Sequence, residues 1–222
     1  MNLDNLFNPD SKLFRFFDWI YRVVIINLLW LLFSVLGLVI FGIGPATAAS
    51  FYIYREFIRG NEGFSTYRVF WQKYKSYFFR VNILTIIMLL TGAILYLDLE
   101  FFFSQKPPLY YISYLFLGFS FIYIIIFIHL YPIYTKYEDL GVKDQFRNTF
   151  FYSFLNPFYT LLIFFATIII PILFLSFPGT ILFGFPSSLF LGLSWLTEKS
   201  FDRAEDKFRQ LNEEENNNSD DK

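Results

Sequence analysis

The stretch VVIINLLWLLFSVLGLVIFGI, Val23–Ile43, runs for 21 residues without one Asp, Glu, Lys or Arg. A bilayer hydrocarbon core about 30 Å thick takes about 20 helical residues at 1.5 Å each. Length and composition together predict a membrane-crossing helix. Four more charge-free windows follow: Val81–Leu97, Leu109–Tyr131, Pro157–Phe177 and Gly179–Leu196. Every charged residue lies outside the five. A charge at the bilayer centre costs at least about 2.5–3.5 kcal/mol on insertion scales, which accounts for the exclusion. The expected fold is an all-α, polytopic transmembrane helix bundle of about five spans, residues 1–196. A cytoplasmic tail follows, residues 197–222. Its end, Glu213–Lys222 (EEENNNSDDK), carries no apolar residue, so disorder is expected after about 212.

Composition agrees. The chain is 55% hydrophobic and 24% aromatic, with 33 Phe and 16 Tyr, and only 17% charged. A soluble core cannot hide so many rings without large exposed apolar patches, whereas lipid accepts an apolar exterior. There is no Cys, which excludes disulfides, thiol catalysis and thiolate metal ligation. A net charge of −1 creates no field favouring nucleic acid.

The short loops set an expected orientation. Arg55, Arg59, Arg68, Lys73, Lys75 and Arg80 lie between the first two windows, and Lys136, Lys143 and Arg147 between the third and fourth. Between the second and third stands only Lys106, and the Pro178-Gly179 turn has no cation. By the positive-inside rule the basic loops are cytoplasmic, and five crossings put the N-terminus outside and the C-terminus inside. Lys12, Arg15 and Arg22 oppose this by favouring an inner N-terminus. In that case residues 45–58 return through the membrane as a re-entrant segment or a sixth span. A cleavable signal is a weak alternative. Ala46-Thr47-Ala48 resembles a cleavage site, but the 21-residue apolar run exceeds the usual signal core of about 7–15.

After the first window, Gly42-Ile43-Gly44-Pro45 breaks the helix, and Ala46-Thr47-Ala48-Ala49 starts another with very small side chains. Small residues allow close backbone approach, so Gly44, Pro45, Ala46 and Ala49 are packing candidates. Phe51, Tyr54 and Ile58 follow helical spacing with Arg55 and Arg59 beside them, and Tyr67 to Phe78 form a second aromatic helix with Arg68, Lys73 and Lys75 around it. Basic aromatic helices suit the headgroup plane or a partner's cytoplasmic domain. A third reading has the free N–H groups near Ala46–Ala48 hold an anion. Gly184, Ser188 and Gly192 form a small-residue stripe for helix packing in the last window. Asn27, within the first window, is an interhelical hydrogen-bond candidate.

The blocks Asn27-Leu28-Leu29-Trp30-Leu31-Leu32, Gly42-Ile43-Gly44-Pro45-Ala46-Thr47-Ala48-Ala49, Arg55 through Arg59-Gly60, and Phe70-Trp71 together resemble the YesL-like family of bacterial membrane proteins, a domain of unknown function. The motifs cover roughly residues 10–90, and span layout extends the likeness to the rest. The resemblance implies a multi-pass protein of the bacterial cytoplasmic membrane with an accessory role beside a carbohydrate ABC importer. It implies no catalytic, cofactor-binding or metal-binding residues.

The residues themselves offer little chemistry. The single His, His129, has no carboxylate within a helical turn. No hydrolase elbow or phosphate-cradling loop is present. Ionisable groups are absent from membrane depth, which argues against a proton-coupled carrier. The expectation is a non-enzymatic accessory component with the bilayer, and subunits of a sugar ABC transporter, as partners; the alternative is a small stand-alone transporter or channel. The importer's own permease signature, E-A-A followed by G, is absent from the inner loops.

Overall fold

The computed structural model describes residues 12–176, 179 and 184–220. Among these are seven α-helices: α1 (Lys12–Leu36), α2 (Ile43–Ile58), α3 (Thr66–Phe103), α4 (Ile112–Lys136), α5 (Val142–Leu155), α6 (Pro157–Leu175) and α7 (Ser187–Asp220), with a 3₁₀ turn at Leu109–Tyr111. The architecture is the expected all-α bundle.

Among the described residues, four helical stretches are long and apolar enough to cross a membrane: Phe16–Leu36, Thr66–Phe103, Leu109–Lys136 and Pro157–Leu175. The fifth window, Gly179–Leu196, falls partly outside the described residues, as does Pro178 of the expected turn. Its described part opens α7 at Ser187. The helical backbone of α7 continues to Asp220, past the point where the composition suggested disorder. An established helix extends one hydrogen bond at a time without a second nucleation cost.

The first window is shorter as a helix than as an apolar run. α1 ends at Leu36, and the chain doubles back over residues 37–42. Two glycines permit the reversal: a Cβ on Gly37 would strike the backbone of Gly42, and one on Gly42 would strike the Ser34 carbonyl. Leu38 and Val39 take φ of 57° and 64°, a left-handed conformation unfavourable for a β-branched residue. The Val39 N–H bonding to Ser34 O at 2.8 Å helps hold it there.

Contacts fix the directions. Trp30 meets Thr47 near the turn and Trp19 meets Phe57 far from it, so α1 and α2 are antiparallel. Gly44 faces Val81 and Thr85 of α3, while Tyr52 lies under Lys73, so α2 and α3 are antiparallel too. Phe102 stacks on Phe116 and Tyr77 meets Tyr134, pairing α3 with α4. Gly192 abuts Ile170 and Asn156 reaches Ser200, pairing α6 with α7.

At the centre sits α2. Gly44 to Phe51, Ile53, Tyr54 and Phe57 are all buried. They pack against Ile26, Leu29 and Phe33 of α1, Phe70 and Tyr74 of α3, and Phe190 and Leu193 of α7. Ala48 enters a second cluster with Tyr77, Val81, Leu84, Leu130 and Tyr134. The helix expected from its amphipathic spacing in the headgroup plane is instead walled in by α1, α3, α4 and α7. The physical reason is its composition: glycine, alanine, threonine and serine bring neighbouring backbones close on several sides at once.

Candidate functional site

Two groups of polar contacts stand out around α2 among the described residues. The first is uncharged and lies between α1, α2 and α7. Asn27 is fully buried, and its Oδ1 accepts the Ser187 backbone N–H at 3.2 Å. The Ser187 hydroxyl bonds to the Tyr54 hydroxyl. Trp30 Nε1 donates to Thr47 Oγ1 at 3.0 Å. Asn27 and Trp30 therefore tie three helices together, as the asparagine's position within an apolar window suggested. The hydroxyls of Ser34, Ser194 and Thr197 are buried and have no hydrogen-bond partner among the described residues.

The second region is charged. Glu198 of α7, one turn below Ser194, is buried between two arginines of α2. Arg59 Nε donates to Oε2 at 2.8 Å. Arg55 Nε lies 3.0 Å from Oε1 as an ion pair without hydrogen-bond alignment. Arg55 also donates to the Thr135 carbonyl of α4 at 2.6 Å. One carboxylate thus clasps α2, α4 and α7. Beside it, Lys73 donates to Glu138 at 2.7 Å and sits 3.9 Å over the Tyr52 ring, and Tyr77 donates to the same carboxylate at 2.7 Å. Lys136 pairs with Glu205 at 2.5 Å, and that hydrogen bond holds the Glu205 carboxyl below its ordinary range. Within α1, just before its apolar window, Arg22 pairs with Asp18 at 2.6 Å and with Glu62 at 3.1 Å, and lies 4.3 Å over Phe57. The Asp18–Arg22 segment of α1, the α2–α3 loop, the end of α4 and the polar part of α7 consequently lie toward one end of the bundle.

The sequence-derived candidates separate accordingly. Arg55, Arg59 and Lys73 are ion-paired within the protein, Arg55 nearly buried, Lys73 half-buried and Arg59 exposed. Arg68 and Lys75 are exposed on α3, with the Lys75 ammonium 4.8 Å over the Trp71 ring and Tyr67 and Phe79 exposed along the same helix. Gly44, Pro45, Ala46 and Ala49 are buried packing positions; a Cβ on Gly44 would come within 2.8 Å of Thr85 Oγ1. In the small-residue stripe, Gly184 abuts Phe174 and Gly192 abuts Ile170, so these two residues serve the α6–α7 contact. Ser188 is half-buried in a groove with Trp19, Val23 and Leu191. The free N–H groups at Ala46–Ala48 offer no anion site, being packed within α2. His129 is buried with Nδ1 donating to the Ile125 carbonyl of its own helix, 2.8 Å away. Among the described residues no group of three or more His, Cys, Asp or Glu is placed to hold a metal.

Glu198 was not singled out from sequence. The available signal was the first carboxylate after the last apolar window, facing a cation pair spaced i, i+4 on α2. Nothing local joins positions 139 residues apart.

Residues 23–99 match the family described as "Protein of unknown function, DUF624". Three proteins of Bacillus subtilis (strain 168) are similar to this chain. The uncharacterized protein YteU is 36% identical over 128 residues, a match spanning 58% of each chain. The uncharacterized protein YesL is 30% identical over 187 residues, covering 84% of this chain and 88% of that one. The uncharacterized protein YesV is 25% identical over 192 residues, covering 86% and 92%. No solved structure matches. The matched segment 23–99 holds the turn at 37–42, the central helix α2 and both arginines of the clasp, and with YesL aligned along most of both chains, this protein belongs to the YesL-like family.

Proposed function

We propose that this protein is a non-catalytic accessory component of the bacterial cell membrane that docks on a carbohydrate ABC importer through the exposed basic and aromatic face of α3. The observation that carries this reading is the division among the cations. Arg55, Arg59 and Lys73 are paired within the bundle, whereas Arg68 and Lys75 make no ion pair among the described residues and stand beside exposed Tyr67, Trp71 and Phe79. Aromatic residues and arginine with a desolvated neighbour are the usual anchors of protein interfaces. Reversing Arg68 and Lys75 to Glu should abolish recovery of importer subunits in mild detergent, with the fold intact. Undiminished recovery sinks the docking face.

The same reading places both termini in the cytoplasm, with α1 and α2 forming a re-entrant hairpin. Its support is the Arg22–Glu62 pair, which joins α1 at the edge of its apolar window to the α2–α3 loop, and the turn itself. Leu38, Val39, Ile40 and Phe41 are all exposed and apolar, so the turn suits lipid rather than water. The Phe41 carbonyl accepts from Asn82 at 2.9 Å, and α3 runs 21 residues beyond that point. This orientation replaces the five-crossing expectation of an outer N-terminus. Because the chain has no Cys, single-cysteine labelling is clean. Asn61→Cys should react with an impermeant maleimide only from the cytoplasmic side, Gln105→Cys only from outside, and Ile40→Cys from neither. Labelling of Ile40→Cys from outside would make the hairpin two full spans.

A second reading, a small stand-alone transporter, is favoured by the buried hydroxyls of Ser34 on α1 and of Ser194 and Thr197 on α7, which have no hydrogen-bond partner among the described residues. Solute flux in proteoliposomes holding only this protein separates it from the first.

A further inference from the structure

The geometry points to a binding groove for the phosphate of an anionic glycerophospholipid at the junction of α5, α6 and α7. An open groove of about 820 Å³ is lined by Leu155, Asn156, Pro157, Phe158 and Tyr159 on one side and Arg203, Asp206, Lys207 and Gln210 on the other. Arg203 and Lys207 are one helical turn apart on α7, both exposed, and make no ion pair among the described residues. Asn156 Nδ2 donates to the Ser200 carbonyl at 2.8 Å, which holds the start of α6 against α7 and fixes the groove's width. The Phe158 and Tyr159 N–H groups belong to the first turn of α6, ahead of the Thr160 N–H to Asn156 O bond. They lack helical acceptors and add a partial positive charge.

The occupant must suit more than the cations. From Phe158 an exposed apolar stripe, Leu161, Phe165, Ile169 and Ile172, runs up the membrane-length helix α6. A ligand with an anionic head and long apolar tails meets the groove and the stripe together; a soluble phosphate meets only the groove. The groove lies where a span begins, which is headgroup depth. Asp206 at its rim opposes anions, so the site is tuned rather than maximally basic. This inference is independent of the docking face on α3, because it uses other helices.

The test is native mass spectrometry of the full-length protein in mild detergent, titrated with phosphatidylglycerol, with phosphatidylcholine of the same chains, and with inorganic phosphate. Phosphatidylglycerol should bind with clear preference over phosphatidylcholine, and millimolar phosphate should not displace it. Displacement by phosphate would assign the groove to a soluble anion instead. Arg203→Gln with Lys207→Gln should weaken phosphatidylglycerol about 30-fold, on the scale of two interfacial cations, while Lys106→Gln at the opposite end of α3 should change nothing. Asp206→Asn should tighten binding about threefold to fivefold, on the scale of one nearby rim charge, a gain that misfolding cannot mimic. Equal binding by the double variant, or no gain from Asp206→Asn, overturns the proposal.

Discussion

Helices α2 and α6 both begin at a proline-containing break, yet one is surrounded by protein and the other by open surface. α2 has eleven buried residues in sixteen, and α6 has two, Thr160 and Ile163, in nineteen. α6 is the more apolar by composition, a run of Phe, Leu and Ile. α2 carries Gly, Ala, Thr, Ser and two arginines. Hydrophobicity therefore ranks these helices in the wrong order for burial within the protein. In a bilayer the large apolar side chains face lipid at no cost, while small and polar ones gain from close contact and interhelical hydrogen bonds. The clearest sign of centrality here is small-residue content.

That contrast sets a graded series of tests, each read as reversible unfolding in mixed micelles. Glu198→Ala should give the largest effect, about 3–5 kcal/mol of destabilisation, because it leaves Arg55 buried beside Arg59 with no carboxylate. A loss under about 1 kcal/mol would mean the clasp is solvated like an ordinary surface pair. Ala48→Leu comes next. It forces extra volume between Tyr77, Val81, Leu84 and Leu130, and should cost about 1–3 kcal/mol. Asn27→Leu removes the acceptor of the Ser187 N–H and should cost about 0.6–2 kcal/mol, the range for hydrogen bonds between membrane helices. Phe165→Leu on the exposed side of α6 should stay within about 0.5 kcal/mol. If Phe165→Leu cost as much as Ala48→Leu, α6 would be covered by protein too, and the contrast between the two helices would collapse.

The charged end adds a weak dependence on acidity. Glu205 is bound by Lys136 and its carboxyl is held below the ordinary range. A depressed folded-state value contributes stability that is present above the ordinary carboxylate range and fades as pH falls through the folded value. The side chain is 63% exposed, so solvent screens most of this. Lys136→Gln should leave stability at neutral pH nearly unchanged.

Much of the site was legible in sequence, and the limits have identifiable causes. Asn27 stood out because a lone amide within an apolar window needs a partner, and it has one. The Gly42–Ala49 block stood out because small residues mark close packing. Arg55 and Arg59 were visible as a cation pair, but amphipathicity gave no sign of the carboxylate they share. The carboxylate that covers them lies on α7, and periodicity along one helix carries no information about which distant helix packs there.

The sequence determined by itself that this protein is a bundle of membrane helices, since the exclusion of charge from long apolar windows is a property of the chain and its solvent. It placed the helix break at Gly42–Pro45, whereas the folded chain ends α1 earlier, at Leu36, and turns over residues 37–42, where Gly37 and Gly42 tolerate the close backbone contact. Only the tertiary structure decided that α2 is the centre of the bundle and that Arg55 and Arg59 pair with Glu198. Solvation by lipid is a local preference that each window expresses alone. The pairing of buried charges depends on groups brought together from α2, α4 and α7, and it exists only once those helices have packed.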